Sequence, residues 1–259
     1  MNEKAIDMNA LPALTSVDDS CSLLASGPSA GRVSMAKLRE AVMGGISIDA
    51  VMSNVFIMYN TSDTGYPRMS RPSAWPSLQR SGQVATGVVI VEGGKVLVVA
   101  PTEADTAGLL WSSAAVSGGA TTTADRVTAM SDWNGKANTA SIISKSSPGA
   151  ITDTTAYAPG FCYGYSRLNA NGAGLSAGKW WLPSLGEIMM IDANLHKVNY
   201  CLSLIDGADL IRTTLYYTST EGSAANAWVY NFGLGDVGSG GRYKYSFKGG
   251  VRPVSAFIQ

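Results

Sequence analysis

Two apolar, β-branched runs, Gly87–Val91 and Lys95–Val99, flank a Gly93-Gly94 turn. Paired glycines between such runs predict a β-hairpin, because a tight two-residue turn needs positive φ angles. Both runs are continuously apolar, so the hairpin is expected to be covered on both faces. Further on, Ser184 and Glu187 stand at capping-box spacing. They open a predicted helix with Leu185, Ile188, Met189 and Leu195 at helical intervals. A second helix is expected around Lys197–Ile205, and a short one over Ala137–Ser144. The C-terminal part reads as strands: Leu215–Thr220, Ala227–Phe232 and Val251–Ile258. In Ala227–Phe232 the aromatic residues Trp228, Tyr230 and Phe232 alternate with Val229 and Asn231. Period-two alternation assigns the aromatics to the core and the other two to the opposite face.

The first part of the chain is patterned differently. In residues 1–50, Ser20–Ala25 is a short apolar run, a Gly-Pro-Ser-Ala-Gly turn follows, and Ser34 is placed to cap a helix over Met35–Met43. One short helix buries little, so this unit is expected to need a partner surface. Residues 51–84 contain a possible strand, Asn54–Tyr59, then Pro67, Pro72 and Pro76 among Ser and Arg. Such proline density reads as an extended neck. Residues 145–179 show no clear period, and a loop that long is commonly functional or fold-defining.

Composition narrows the functional classes. The 259 residues carry a formal net charge of +0, with only 15% charged residues and no basic block. Binding to a nucleic-acid backbone needs clustered cations, so no nucleic-acid partner is expected. The most apolar stretch, Gly87–Ala100, is interrupted by its turn, so no membrane insertion is expected. The opening MNEKAIDMNA lacks an apolar core, so no signal peptide is expected. Three cysteines (Cys21, Cys162 and Cys201) without a CxxC spacing argue against a disulfide scaffold or zinc knuckle. A single histidine, His196, leaves little for histidine catalysis or metal binding. It is expected to be a favourable cation near a helix end.

Five stretches stand in one order: GVVIVEGGKVLVVAP (87–101), NGKANTASI (134–142), GKWWLPSLGE (178–187), YYTSTE (216–221), and AWVYNF (227–232) followed by VRPV (251–254). Together they resemble the C-type-lectin-like family that includes formylglycine-generating-enzyme-like domains and the variable proteins of diversity-generating retroelements. The resemblance implies an α+β domain over residues 85–259, with paired terminal strands, two or three short helices and long loops. SVDDSCSLLASGPSAGRVSMAKLREAV more loosely resembles the attachment end of bacteriophage fibre proteins. On this reading residues 1–50 attach the protein to other virion proteins, residues 51–84 are a neck, and the chain is a trimer on the phage particle.

The resemblance also implies a function: non-enzymatic recognition of a bacterial cell-surface protein or glycan through a loop surface. Diversified positions in the retroelement proteins fall between the tryptophan of the AWVYNF-like motif and the closing VRPV. The expected contacts are Val229, Asn231, Leu234, Asp236, Arg242, Tyr243 and Tyr245. Diversification of AAY codons cannot produce Trp, Met, Lys, Glu or Gln. Between Gly222 and Phe247 only Trp228 and Lys244 belong to that set.

Alternatives remain open at this stage. An enzyme of the formylglycine-generating type would need a cysteine pair, and neither Cys162 nor Cys201 sits in a matching motif. A polysaccharide hydrolase would need two carboxylates facing one cleft. Glu187 and Glu221 are the candidates, but helix and loop capping explain both better. A virion decoration protein without a receptor is the third reading. No calcium site is expected, since Asp236 is the only acid between Gly222 and Gln259 and hard cations need several convergent oxygens. No cofactor, metal ligand or catalytic residue is assigned.

Overall fold

The computed structural model describes residues 22–25, 31–34, 49, 52–145, 155–238 and 241–257. The chain divides into two compact units, Met1–Val51 and Met52–Gln259. In the first, β1 (Ser22–Ala25) and β2 (Gly31–Ser34) pair antiparallel, with Leu23 opposite Val33. The helix expected over Met35–Met43 and Cys21 lie outside the described residues.

The second unit is α+β and is built on a five-stranded antiparallel sheet. Its strands are β3 (Val55–Asn60), β4 (Pro67–Ser70), β5 (Ala85–Glu92), β6 (Lys95–Val99) and β13 (Val254–Ser255), in the order β13-β6-β5-β3-β4. The β5–β6 hairpin forms as its glycines predict: Gly93 and Gly94 take φ angles of 57° and 75°. Both faces of the hairpin are covered. Val88, Ile90, Leu97 and Val99 join the main core, whereas Val89 and Val98 join Met58, Leu175 and Trp180 on the other side. That two-sided burial is why neither strand alternates.

The expected neck is corrected here. Residues 55–80 are part of the domain: β3 pairs with β5 along Val55–Tyr59 and lies inside the sheet. A 3-10 turn (Pro72–Ala74) and helix α1 (Trp75–Arg80) follow β4. Trp75 is wholly buried in the main core, with its indole N–H donating to Gln79. The prolines occupy positions that need no backbone donor: Pro67 opens an edge strand, and Pro72 and Pro76 sit in the first turns of their helices.

A second sheet contains β9 (Leu215–Glu221), β10 (Asn226–Asn231), β11 (Asp236–Val237) and β12 (Arg242–Tyr243). All three partners pair antiparallel with β10. The remaining helices of residues 52–257 are α2 (Arg126–Met130), α3 (Gly135–Ser144), α4 (Ala158–Gly164), α5 (Leu185–Ala193) and α6 (Leu195–Ser203). A two-residue hairpin, β7 (Arg167–Leu168) with β8 (Gly174–Leu175), interrupts the stretch that shows no period in the sequence. Among the described residues of 85–257, five helices thus replace the expected two or three, because segments as short as α2 and α4 are too brief to show a helical period. The last strand is also shorter than Val251–Ile258.

Helix α5 starts at the predicted capping box. The Glu187 carboxylate accepts the Ser184 N–H at 2.9 Å, and the Ser184 hydroxyl donates to the Asp132 carbonyl at 2.8 Å. Leu185, Ile188 and Ile191 then pack in one core with Trp228, Tyr230 and Phe232, as the alternation of β10 predicts. The Tyr230 hydroxyl donates to Asp192 of α5 at 2.7 Å. His196 corrects another expectation. It is exposed in the first turn of α6, at the positive end of the helix dipole.

Candidate functional site

The C-terminal loop surface is organised by a buried charge. Strand β9 ends at Glu221, whose side chain is fully buried. Its carboxylate accepts the backbone N–H groups of Gly118 at 2.9 Å and Ala120 at 3.0 Å. It also meets the ammonium of Lys244, which is equally buried. Lys244 donates further to the Val116 carbonyl at 2.9 Å and lies 4.1 Å from the centre of the Trp111 ring. Burial pushes the Lys244 ammonium below its ordinary value, and the Glu221 carboxylate opposes that shift. Gly118 is needed for this approach: a Cβ there would come within 2.6 Å of Ile142.

The backbone of Lys244 is held as firmly as its side chain. Its N–H donates to Ala225 at 2.9 Å, and its carbonyl accepts from Trp111 and Ser112 at 2.9 and 3.1 Å. With Lys244 turned inward, its neighbours Tyr243 and Tyr245 are 56% and 41% exposed. Their ring centroids are 5.8 Å apart. The Tyr217 hydroxyl lies 2.8 Å from the Tyr243 carbonyl and 3.0 Å from that of Phe247, so both ends of the turn are tied to β9. Arg242 is exposed, with its guanidinium 5.8 Å from the Phe247 ring centre.

The expected contact residues divide into three groups. Arg242, Tyr243 and Tyr245 lie together at the Asn226 end of β10. Leu234 and Asp236 lie near its Asn231 end, roughly 17 Å away along the strand. Leu234 is 77% exposed, and Asp236 is exposed but paired with Arg126 of α2. Asn231 is half-buried and accepts the Gly233 N–H at 2.9 Å, so it shapes the turn. Val229 corrects the expectation outright. It is wholly buried in a second core with Trp111, Ile142, Leu182 and Tyr217. Strand β10 is covered on both faces, so the side opposite its aromatics is another interior.

Lys244 and Arg126 escaped the sequence reading as site residues. A lysine in a glycine-rich segment reads as solvated. The one available signal was its place between two tyrosines, at the spacing that turns it to the opposite side.

The residues considered for catalysis have other partners. Glu187, 7% exposed, accepts from Ser184 and from the Trp181 indole at 3.1 Å, and burial pushes its carboxyl up to about 7. Cys162 and Cys201 are free and buried, in α4 and α6, and burial alone raises the Cys201 thiol to about 12. Among the described residues, no group of three His, Cys, Asp or Glu side chains is arranged to hold a metal. No described helix is long and apolar enough to cross a membrane. A cleft of about 640 Å³ lies between residues 103–106 and 208–212. Glu103, on its wall, is engaged by Arg212, Arg252 and the Tyr216 hydroxyl.

Comparison with protein-family models, with curated proteins and with solved structures finds no match.

Proposed function

We propose that residues 52–257 form a C-type-lectin-like recognition domain of a phage virion protein, which binds a bacterial cell-surface protein or glycan. The observation that carries this reading is the inward Lys244 with its two outward tyrosines. A buried ion pair fixes the turn, and the turn displays Arg242, Tyr243 and Tyr245. Tyrosine and arginine are the residue types that dominate binding hot spots, and a pre-organised loop loses little entropy on binding.

Two further features support it. Strand β13, from the closing VRPV segment, pairs with β6, the second strand of the opening hairpin, rather than with the first strand as the family resemblance implies, and still joins the two ends of residues 85–257. Trp228 and Lys244, the only residues between Gly222 and Phe247 that AAY diversification cannot produce, are both buried framework. The residues left to vary include every exposed one.

The test is adsorption of the purified full chain to a panel of bacterial cells. Replacing Tyr243 and Tyr245 together by alanine is expected to weaken binding to the recognised strain by at least about tenfold, with an unchanged thermal midpoint. Chelation with EDTA is expected to change neither binding nor midpoint. Full binding by the double variant would remove these residues from the contact surface.

A further inference from the structure

The charges of the C-terminal segment are sorted by burial. Between Gly222 and Gln259 there is one acid, Asp236, and four bases: Arg242, Lys244, Lys248 and Arg252. Lys244 is consumed by Glu221 and Arg252 by Glu103. The lone acid, Asp236, is paired with Arg126. Arg242 and Lys248 remain, both exposed and neither in a salt bridge among the described residues. A chain with net charge +0 therefore presents a local surplus of two free cations beside its tyrosine pair. The Arg242 guanidinium lies 5.8 Å from the centre of the Phe247 ring, and Lys248 is the residue after Phe247 in the chain.

We infer that Arg242 and Lys248, with the Tyr243–Tyr245 ring pair, form a subsite for an acidic surface polysaccharide carrying carboxylate or phosphate groups. This rests on the recognition reading above and narrows its partner to an anionic glycan. The guanidinium matches the paired oxygens of either anion, and the ammonium adds an unpaired positive charge. The two rings, tilted by 46° to one another, give flat apolar faces for the carbon-bound hydrogens of a sugar.

A protein partner fits less well. Protein interfaces have a core of desolvated apolar anchors within a larger patch. Here the exposed large aliphatic residue of the segment, Leu234, stands near the far end of β10. A chain of charged sugars needs no such core. It needs cations at intervals and ring faces between them, on a frame that does not move.

The experiment measures binding of the full chain to immobilised polygalacturonate, poly(glycerol phosphate) and neutral dextran. Binding to at least one acidic polymer and none to dextran is expected, and the two acidic arms distinguish carboxylate from phosphate. Raising salt from about 0.05 to about 0.5 M is expected to weaken binding, because exposed charges are screened. Arg242→Gln and Lys248→Gln are each expected to cost about fivefold. Both positions are exposed, so the thermal midpoint should not move. Equal binding to dextran, or wild-type affinity in the combined variant, overturns the inference. If neither acidic polymer binds while the tyrosine variant still loses the cells, the partner is a protein or an uncharged glycan. The inference then fails and the recognition reading stands. If the tyrosine variant binds cells as the wild type does, the recognition reading itself fails.

Discussion

The ammonium of Lys244 and the carboxylate of Glu221 meet in the interior, with both side chains fully buried. The pair joins the end of β9 to the middle of the display turn, across 23 residues of chain. Removing two charges from water is costly, so such a pair holds only when every remaining donor and acceptor is served. Here the Gly118 and Ala120 amides, the Val116 carbonyl and the Trp111 ring serve them.

Lys244→Met is expected to destabilise the domain by about 3–5 kcal/mol, because it strands a buried carboxylate. Glu221→Gln strands the ammonium with a similar cost. The double variant should be more stable than the sum of the two losses implies. A double-mutant cycle by urea denaturation checks this, and strict additivity would show that the two groups do not interact.

Glu187 gives a pH dependence of unusual sign. Burial raises its carboxyl from 4.5 to about 7, so the folded state holds the proton more tightly than the unfolded state. The stabilisation is full below 4.5 and is lost as pH rises through about 7. Stability is expected to fall by up to about 3 kcal/mol across that window. Glu187→Gln keeps an acceptor for Ser184 and Trp181 and should flatten the profile. Denaturation midpoints of both proteins between pH 4.5 and 8 measure it, and parallel profiles would assign the dependence to other groups.

The sequence revealed those elements whose chemistry is local. Gly93-Gly94 announces a turn because only glycine takes two consecutive positive φ angles cheaply. Ser184 and Glu187 announce a helix start because the box closes within four residues. Trp228, Tyr230 and Phe232 announce a buried face because strand geometry alternates. What stayed hidden depends on partners far along the chain. Val229 alternates correctly, yet the other side of its strand is covered by Trp111 and Leu182. Residues 55–80 read as a linker because their strand borrows its neighbour from β5 and their tryptophan borrows its core from α6 and beyond. Lys244 finds its acid more than twenty residues upstream, and no spacing rule connects them.

Those borrowed contacts set the domain boundary. A fragment of residues 52–259 is expected to fold, and one of residues 85–259 is not, because it lacks β3 and the Trp75 side chain. Trp75→Ala in the full chain should cost about 3–5 kcal/mol. Circular dichroism and thermal melting of the fragments decide it. A cooperative melt of residues 85–259 at the full-chain midpoint would return 52–84 to the status of a linker.

Light scattering tests the proposed trimer. The full chain is expected to form three copies and residues 52–259 to be monomeric, with assembly carried by residues 1–51. Leu23, Leu24, Val33, Met35, Leu38, Val42 and Met43 are the apolar side chains available for it. Three linked copies would multiply weak single-site binding. A monomeric full chain would leave docking onto another virion protein as the role of that segment.

Residues 251–255 have a consequence for the order of events during synthesis. Val254 exchanges two backbone hydrogen bonds with Trp181, Pro253 accepts from Ala100, and Val251 accepts from Ala104. Arg252 reaches the carbonyls of Ala100, Pro101 and Asp209. This short segment laces together three regions translated long before it. On the ribosome, β6 therefore waits with an open edge while more than half of the domain is still to be made. Such an edge invites pairing with another nascent chain. The charged hairpin tip at Glu92 and Lys95 and the shortness of β6 limit that hazard until the lace is drawn.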